Sequence, residues 1–358
     1  MKRILVIATR QIGDVLLTTP LVHAARLQWP QAHIDVLGFA GTLGMLRGNR
    51  DIDELIETPP RLGWRGLRGL VRRLWRRYDL ALVTQPGDRA HLLGWIAARQ
   101  RSGLLPVSHG SNWWKRALLH HVVLSGGDDG QEHVVAEKLA LLSPWRGATA
   151  GSMPVVPPED VPLPADIAHQ LQPGAVVIHA PSMWPYKQWA PENYRVVAAD
   201  LLSWGRQVVL TGSGAPRDQE CIAPLRDLGA APQLLDVSGR LDFGQLATVL
   251  RRAALYIGPD TSVSHLAAAC GVPTLAIFGP TNPQRWAPWP AGGAEPLRFQ
   301  RRETIQSVGN VTLLQAGLPC VPCSRAGCED HLQSRSDCLV AISPERVLEA
   351  ALEKLQGR

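Results

Sequence analysis

Short apolar runs recur along the chain, and stretches with helical periodicity lie between and after them, over residues 14–28, 64–78 and 89–99. Residues 3–9 read R-I-L-V-I-A-T, residues 33–39 read H-I-D-V-L-G-F and residues 79–85 read D-L-A-L-V-T-Q. A strand that is apolar on both faces fits a sheet covered by helices on both sides, which is the usual environment of a parallel sheet. The alternation therefore predicts an α/β fold built on doubly wound parallel sheets.

The same rhythm restarts in the second half of the chain. Predicted strands there cover residues 175–180, 207–211, 234–237, 255–258 and 273–278, and predicted helices cover residues 191–204, 218–228, 243–253 and 343–355. Seven prolines fall within residues 144–173, where helical and strand periodicity is lost. That composition is typical of a linker, and 358 residues are enough for two domains that each bury a core.

We therefore predict four parts. They are a first Rossmann-like domain over residues 1–150, a linker over 151–173, a second Rossmann-like domain over 174–342 and a C-terminal helix over 343–358. Two doubly wound domains are expected to face a central cleft that holds the ligands.

Charge and composition limit the partners. The net charge of +6 and the pI of about 9.2 favour phosphates, nucleic acid or an acidic membrane surface. Aromatic residues make up only 6% and no RNA-binding signature is present, so we expect no nucleic-acid partner. No apolar run is long enough to span a membrane, and the start M-K-R-I-L-V-I-A-T-R does not read as a signal peptide. We expect a cytoplasmic protein, peripheral at the inner membrane if it meets lipid.

The first candidate site residues follow the first predicted strand, in the run R-Q-I-G-D. Ligands of open parallel sheets bind beyond the carboxyl ends of the strands. Gly13 lets a backbone come close there, and Asp14 opens the next helix. Asp14 is either a functional carboxylate at the mouth of a cleft or an ordinary acid that stabilises the helix dipole. The loop from Thr9 to Asp14 lacks the G-x-G-x-x-G fingerprint, which argues against a dinucleotide oxidoreductase.

Two further candidates lie in the second half. Lys187, in the run W-P-Y-K-Q-W, lies on a loop after a strand and near a helix start, where a cation and free amides hold a diphosphate. A solvated loop lysine is the alternative. The run G-P-D-T-S-V-S-H places five polar residues at another helix start: Asp260, Thr261, Ser262, Ser264 and His265. A capping box would explain one of them, so we predict an anion site at this turn.

Four runs along the chain resemble the motifs of one known family. The runs R-Q-I-G-D-V-L-L-T-T-P, W-P-Y-K-Q-W-A-P-E-N-Y, L-T-G-S-G and G-P-D-T-S-V-S-H through G-P-T-N-P-Q-R-W resemble the ADP-heptose:lipopolysaccharide heptosyltransferase family (glycosyltransferase family 9). They occur in the family's order and span most of the chain. The W-A-P-W-P after Arg285 resembles the branch that adds a later core heptose. The resemblance implies a GT-B glycosyltransferase that inverts the anomeric centre and requires no metal.

The resemblance also implies roles for individual residues. Asp14 is the general base on the acceptor hydroxyl, Lys187 faces the donor diphosphate, and Asp260 reaches the donor sugar. The other implied donor contacts are Gly13, Thr211, Gly212, Asp218, Glu220, Thr261, Ser262 and His265. The resemblance also implies that the first domain, residues 1–150, binds the acceptor and the second, residues 174–342, binds the nucleotide-sugar donor. The implied partners are ADP-heptose, a lipopolysaccharide core acceptor and the inner-leaflet surface.

One residue departs from the family pattern. Glycine is usual where this chain has Ser262, and glycine would let a phosphate reach the backbone amides without a side chain in the way. Another nucleotide-sugar donor on the same fold is therefore the alternative function. A noncatalytic binder of nucleotide or nucleic acid is the rival from a different class.

Residues 61–78 hold seven arginines and no acid. At about 100° per residue, Arg65, Arg68 and Arg72 share one face with Arg76. The opposite face is apolar and consists of Leu67, Leu70, Val71, Leu74 and Tyr78. We predict that Arg65, Arg68 and Arg72 bind the anionic acceptor or the inner leaflet, and a solvated charged face is the alternative.

Four cysteines, Cys320, Cys323, Cys328 and Cys338, lie close together near the carboxyl end. The C-x-x-C start allows a structural zinc site, but the later spacing does not match the usual paired pattern. We favour free or redox-sensitive thiols over zinc at these cysteines, and we expect no cofactor.

Overall fold

The computed structural model describes residues 1–61, 63–107, 112–145, 153–229, 232–293 and 298–356. The chain forms two compact units, unit 1 (Met1–Pro158) and unit 2 (Glu159–Arg358). The division falls within the predicted linker of residues 151–173, whose residues 151 and 152 lie outside the described ranges.

Unit 1 is built on a six-stranded parallel sheet. Its strands are β1 (Arg3–Ala8), β2 (His33–Phe39), β3 (Glu54–Thr58), β4 (Tyr78–Val83), β5 (Ala98–Pro106) and β6 (His121–Ser125). Its helices are α1 (Ile12–Leu16), α2 (Thr19–Gln28), α3 (Trp64–Leu74), α4 (Asp88–Ala97), α5 (Trp113–Leu118) and α6 (Val134–Ala140), with short 3-10 helices at Leu43–Leu46 and Gly127–Asp129. The strand order is β3-β2-β1-β4-β5-β6. The four residues Ile4 to Ile7 of β1 are each 0% exposed, which explains the unbroken apolar run.

Unit 2 contains a seven-stranded sheet. Its strands are β7 (Val176–His179), β8 (Val208–Thr211), β9 (Leu234–Asp236), β10 (Leu255–Pro259), β11 (Thr274–Phe278), β12 (Ile305–Val308) and β13 (Val311–Gln315). Its helices are α7 (Ala165–Gln170), α8 (Pro191–Ser203), α9 (Pro216–Arg226), α10 (Phe243–Arg252), α11 (Ser262–Ala269), α12 (Pro283–Trp286), α13 (Asp337–Val340) and α14 (Pro344–Gln356), with a 3-10 helix at Pro185–Lys187. The order is β12-β13-β11-β10-β7-β8-β9, and β12 pairs antiparallel with β13.

The carboxyl-terminal helix belongs to the core of unit 2. Trp189 and Tyr194, both 0% exposed, pack edge to face with ring centroids 4.7 Å apart. The indole N–H of Trp189 donates to the carbonyl of Ile342 at 2.9 Å, just before α14. This buried aromatic pair therefore ties the loop after β7 to the segment that leads into α14.

The structure confirms the prediction of two parallel-dominated sheets and changes several element bounds. Residues 14–28 form two helices, α1 and α2, instead of one. The predicted helix over residues 64–78 ends at Leu74, and Tyr78 opens β4, where its hydroxyl donates to the buried carboxylate of Asp35 at 2.6 Å. Tyr78 is thus a strand residue and does not belong to the apolar face of the helix. Strands β3, β5, β6, β12 and β13 were not predicted. In β3 and β5, exposed polar residues such as Glu57 and Gln100 interrupt the apolar run.

Candidate functional site

Asp14 lies on α1, just beyond the carboxyl end of β1 and next to Gly13. It occupies the first turn of a helix only five residues long, whose N-cap Gln11 has an extended backbone and makes no side-chain cap bond. The carboxylate lies 3.4 Å from Arg10 Nε, and its side chain is 12% exposed. A carboxylate held at a strand end with part of its surface open suits either of the two predicted roles, base or dipole stabiliser.

In unit 2, Lys187 and Asp260 meet through their side chains. Lys187 ends the 3-10 helix after β7, and Asp260 follows the neighbouring strand β10. Lys187 Nζ lies 2.6 Å from Asp260 Oδ2, and Thr281, which follows β11, donates its hydroxyl to the same oxygen at 2.6 Å. Three adjacent strands of one sheet thus deliver a cation, an anion and a hydroxyl to one point. The sequence predicted Lys187 and Asp260 separately, and it did not predict Thr281.

The charge on Asp260 is maintained by its neighbours. Burial by itself raises the pKa of this carboxyl, but the ammonium of Lys187, its hydrogen bond and that of Thr281, and the charge of His265 hold the pKa below its ordinary value. Asp260 is therefore ionised at neutral pH. An ammonium has three N–H donors, so Lys187 is able to contact more than one acceptor.

Helix α11 begins immediately after this pair. Its N-cap, Thr261, has an extended φ of −142° and makes no side-chain cap hydrogen bond. Amides in the first turn of a helix have no intrahelical acceptor, so the turn that begins at Ser262 presents N–H groups to an anion. Ser264 has a different role from the one predicted. It is fully buried, its hydroxyl donates to the Pro259 carbonyl, and it lies 3.0 Å from the hydroxyl of Tyr256.

A buried histidine that was not among the predicted site residues, His179, lies at the carboxyl end of β7, beside β8. His179 Nδ1 is 3.1 Å from the hydroxyl of Thr211, and that hydroxyl donates to the Ile178 carbonyl at 3.3 Å. This pattern assigns the N–H to Nδ1. Burial lowers the pKa of His179 to about 4, although the nearby charge of Asp218 opposes the shift, so the ring is neutral at neutral pH. The only sequence signal was a histidine at the end of the apolar run V-V-I-H-A.

Four of the predicted donor contacts lie between the end of β8 and the first turns of α9: Thr211, Gly212, Asp218 and Glu220. A Cβ at Gly212 would lie 2.5 Å from Ile222 Cδ1, so a larger residue there would require the Ile222 side chain on α9 to move. The Asp218 carboxylate accepts from the amide of Ser213 at 2.9 Å and from its hydroxyl at 2.6 Å. Asp218 thus closes its own loop, while Glu220 is exposed on α9.

On α3, the side chains of Arg65, Arg68 and Arg72 are exposed, and Leu70 and Leu74 are buried against the sheet. Trp64 and Trp75, at the two ends of α3, are 80% and 55% exposed. The predicted division into a cationic and an apolar face is therefore present, over a shorter helix. Arg76 lies beyond the helix end, with a φ of 53°.

The four carboxyl-terminal cysteines lie near one another. Burial and the neighbouring thiols of Cys323, Cys328 and Cys320 raise the pKa of Cys338 to about 12, and Cys328 Sγ accepts from the amide of Asp337 at 3.3 Å.

A metal site needs the ligand atoms of several His, Cys, Asp or Glu residues close together. Among the described residues, the one group of three or more such residues whose ligand atoms all lie within 4.8 Å of one another consists of His33, Asp35 and Glu54. Those carboxylates already pair with arginines, since Arg3 contacts Asp35 and Arg73 contacts Glu54.

Comparisons with known proteins agree on one family. Residues 67–296 match the family model of glycosyltransferase family 9 (heptosyltransferase). Lipopolysaccharide heptosyltransferase 3 of Escherichia coli is 28% identical over 77% of this chain and 83% of the relative. Lipopolysaccharide heptosyltransferase 2 of Salmonella typhimurium is 25% identical over 97% of each chain.

A solved structure shows the fold. The structure titled E. coli ADP-heptose lps heptosyltransferase II matches with a TM-score of 0.73 and 21% identity, and the match covers 100% of this chain and 99% of that one. The fold is of the GT-B type, as predicted. Within the part of the chain that the structure describes, no helix combines the length and the apolar character needed to cross a bilayer.

Proposed function

Since the chain belongs to glycosyltransferase family 9, the heptosyltransferases, and is therefore a glycosyltransferase, we propose that its donor is ADP-heptose and its acceptor the inner core of lipopolysaccharide. The observation that carries the proposal is the meeting of Lys187, Asp260 and Thr281 at the amino end of α11. A sugar diphosphate needs cationic and amide donors for its phosphates and a carboxylate for its sugar hydroxyls, and this group supplies both kinds.

The leaving group sets the role of Lys187. As the bond from the sugar carbon to the diphosphate breaks, negative charge builds on the ADP that departs. Preorganised donors aimed at that charge stabilise the transition state. Lys187 and the first-turn amides of α11, beginning at Ser262, supply those donors, so we propose transfer without a bound metal.

Asp14 is proposed as the general base. The acceptor hydroxyl must lose a proton as it attacks, and a carboxylate within hydrogen-bond reach contributes about 10²- to 10⁴-fold. A single displacement on the face opposite the leaving group inverts the anomeric centre. The partly open carboxylate of Asp14 at the end of β1 supports this role.

The acceptor is proposed to bind the cationic face of α3. Core oligosaccharide and inner-leaflet lipid both present phosphate, and Arg65, Arg68 and Arg72 are exposed on one helix. Trp64 and Trp75 add amphipathic rings at its ends, as is common where a protein meets a lipid interface. We therefore also propose a peripheral position at the inner leaflet.

Ser262 favours a second candidate, in which the same site takes a different nucleotide sugar. Its side chain occupies the first position of α11, where relatives usually have glycine. A donor with a differently placed phosphate would gain a hydroxyl contact there. Donor competition separates the two candidates.

The test is mass-spectrometric detection of heptose added to a delipidated core acceptor, with ADP-heptose offered beside UDP- and GDP-sugars. We expect addition from ADP-heptose alone, with and without EDTA, and a fall in kcat of at least 10²-fold for Asp14→Asn. Asp88→Asn is the matched control, because Asp88 also lies in the first turn of a helix that follows a strand of unit 1. Equal activity of the two variants would make Asp14 an ordinary dipole acid.

A further inference from the structure

A lysine buried inside unit 1 contacts the residue proposed as the base. Lys138, on α6, is 2% exposed, and its Nζ donates to the backbone carbonyl of Asp14 at 2.6 Å and to the hydroxyl of Thr18 at 3.1 Å. Burying an ammonium is costly unless its donors find acceptors. A buried ammonium at this position therefore indicates that the Asp14 carbonyl takes a hydrogen bond from outside its own helix.

The break between α1 and α2 leaves the Asp14 carbonyl without its helical amide donor. In a continuous α-helix, the amide of residue 18 would donate to the carbonyl of residue 14. Here the amide of Thr18 donates instead to the carbonyl of Val15 at 3.1 Å, and α1 ends at Leu16. The Asp14 carbonyl accepts from the Thr18 hydroxyl at 2.8 Å and from Lys138. Two side chains thus take the place of the helical amide.

We propose that Lys138 is a positioning residue for Asp14. It fixes the peptide unit of Asp14 through the carbonyl, so that the carboxylate on the same residue keeps one orientation toward the acceptor hydroxyl. Lys138 touches no substrate. Displacing a catalytic group by about 1 Å can cost on the order of 10²-fold in rate, so a contact that holds Asp14 in place should affect kcat directly. The inference rests on the proposed role of Asp14.

The first test is Lys138→Met, which keeps the length of the side chain and removes its charge and its donors. We expect kcat to fall at least tenfold, with the KM for ADP-heptose unchanged within twofold, because the donor residues Lys187 and Asp260 lie in unit 2. Lys115→Met is the matched control. Lys115 is also buried in unit 1, and its Nζ donates to the Pro86 carbonyl at 2.9 Å and pairs with the exposed carboxylate of Asp88 at 2.9 Å. This variant therefore reports what the loss of a buried lysine and its contacts does to stability.

Thr18 offers a milder second variant if Lys138→Met does not fold. Thr18→Val removes the other donor to the Asp14 carbonyl and should lower kcat about threefold to tenfold, whereas Thr18→Ser keeps the hydroxyl and should restore it. Normal kcat in both Lys138→Met and Thr18→Val would overturn the proposal.

A double-mutant cycle separates positioning from a general structural effect. In the Asp14→Asn background, Lys138→Met should cause no further loss of kcat, since its effect passes through Asp14. Losses that multiply would overturn the proposal. A wild-type protein that transfers no heptose would defeat the proposed function instead. The contact between Lys138 and the Asp14 carbonyl would then be tested by amide exchange, which Lys138→Met should accelerate at residues 15–18. Unchanged exchange at these residues would overturn the proposal that Lys138 positions Asp14.

Discussion

Lys187 and Asp260 are far apart in the sequence, and their charged atoms are 2.6 Å apart in the fold. From the sequence, Lys187 had an ordinary interpretation, a solvated loop lysine, beside its functional one, whereas Asp260 belonged to a group of five polar residues that predicted an anion site. The pairing changes that balance, because a carboxylate this buried keeps its charge only when a cation and hydrogen bonds compensate it. The residue types were predictable, and the partnership between them was not.

At the same scale, His179 makes stability depend on pH. Its pKa is lowered to about 4 in the folded chain, against about 6.5 when unfolded, so below pH 6.5 the unfolded state binds more protons. The contribution of neutral, buried His179 to the free energy of unfolding is therefore present in full above about pH 6.5. It is lost as the pH falls toward 4, by about 3 kcal/mol in total.

The measurement is urea unfolding at pH 7.5 and pH 4.5 of the wild type and His179→Gln. We expect the wild type to lose more free energy of unfolding than the variant between these pH values. His169→Gln, at an exposed histidine, is the control and should behave as the wild type does. Parallel losses in the wild type and His179→Gln would show that His179 is not held neutral.

At the scale of the element, α3 shows how far periodicity reaches. The pattern located both faces of the helix, but it carried the helix four residues too far, to Tyr78 instead of Leu74. A residue with positive φ, Arg76, lies between the helix and β4. Arginine is not a usual signal for that backbone conformation, so the helix end had no local marker.

Replacing Arg65, Arg68 and Arg72 of α3 together by glutamine should weaken binding to anionic vesicles by about 10²-fold, at about 1 kcal/mol for each charge. Binding of ADP-heptose should not change. Co-sedimentation with vesicles at several salt concentrations measures this, because screening lowers the affinity of the wild type more. The control replaces Arg195, Arg252 and Arg325, three exposed arginines of unit 2, and matches the change in net charge. Equal losses for both triple variants would indicate a general charge effect.

Helix α11 allows stability and affinity to be separated. Ser262→Asp puts a carboxylate in the first turn, which should stabilise the helix dipole by about 0.3–1 kcal/mol. The same carboxylate repels a diphosphate, so the affinity for ADP-heptose should fall at least tenfold. Thermal unfolding and calorimetric titration measure the two effects, and Ser343→Asp, just before α14, is the control that should keep donor affinity. Unchanged donor affinity in Ser262→Asp would move the diphosphate away from α11.

At the scale of the whole molecule, each unit has its own sheet and its own core. Donor binding should therefore protect backbone amides in unit 2 without changing amide exchange in α3. We expect ADP-heptose to slow amide exchange at residues 185–188 and 260–265 of unit 2, and to leave α3 of unit 1 unchanged. Hydrogen-exchange mass spectrometry with and without ADP-heptose measures it. Slowed exchange only within unit 1 would contradict the assignment of the donor site.

The sequence by itself determined the two parallel sheets, the motifs at their strand ends and the family, because unbroken apolar runs and motif order are local properties of the chain. Tertiary structure alone decided which side chains meet. The Lys187–Asp260 pair, the inward turn of Ser264 and the contact between Lys138 and Asp14 depend on strand order and on helices that pack far from their sequence neighbours. A contact between two single residues produces no periodic pattern in the sequence, so periodicity cannot predict it.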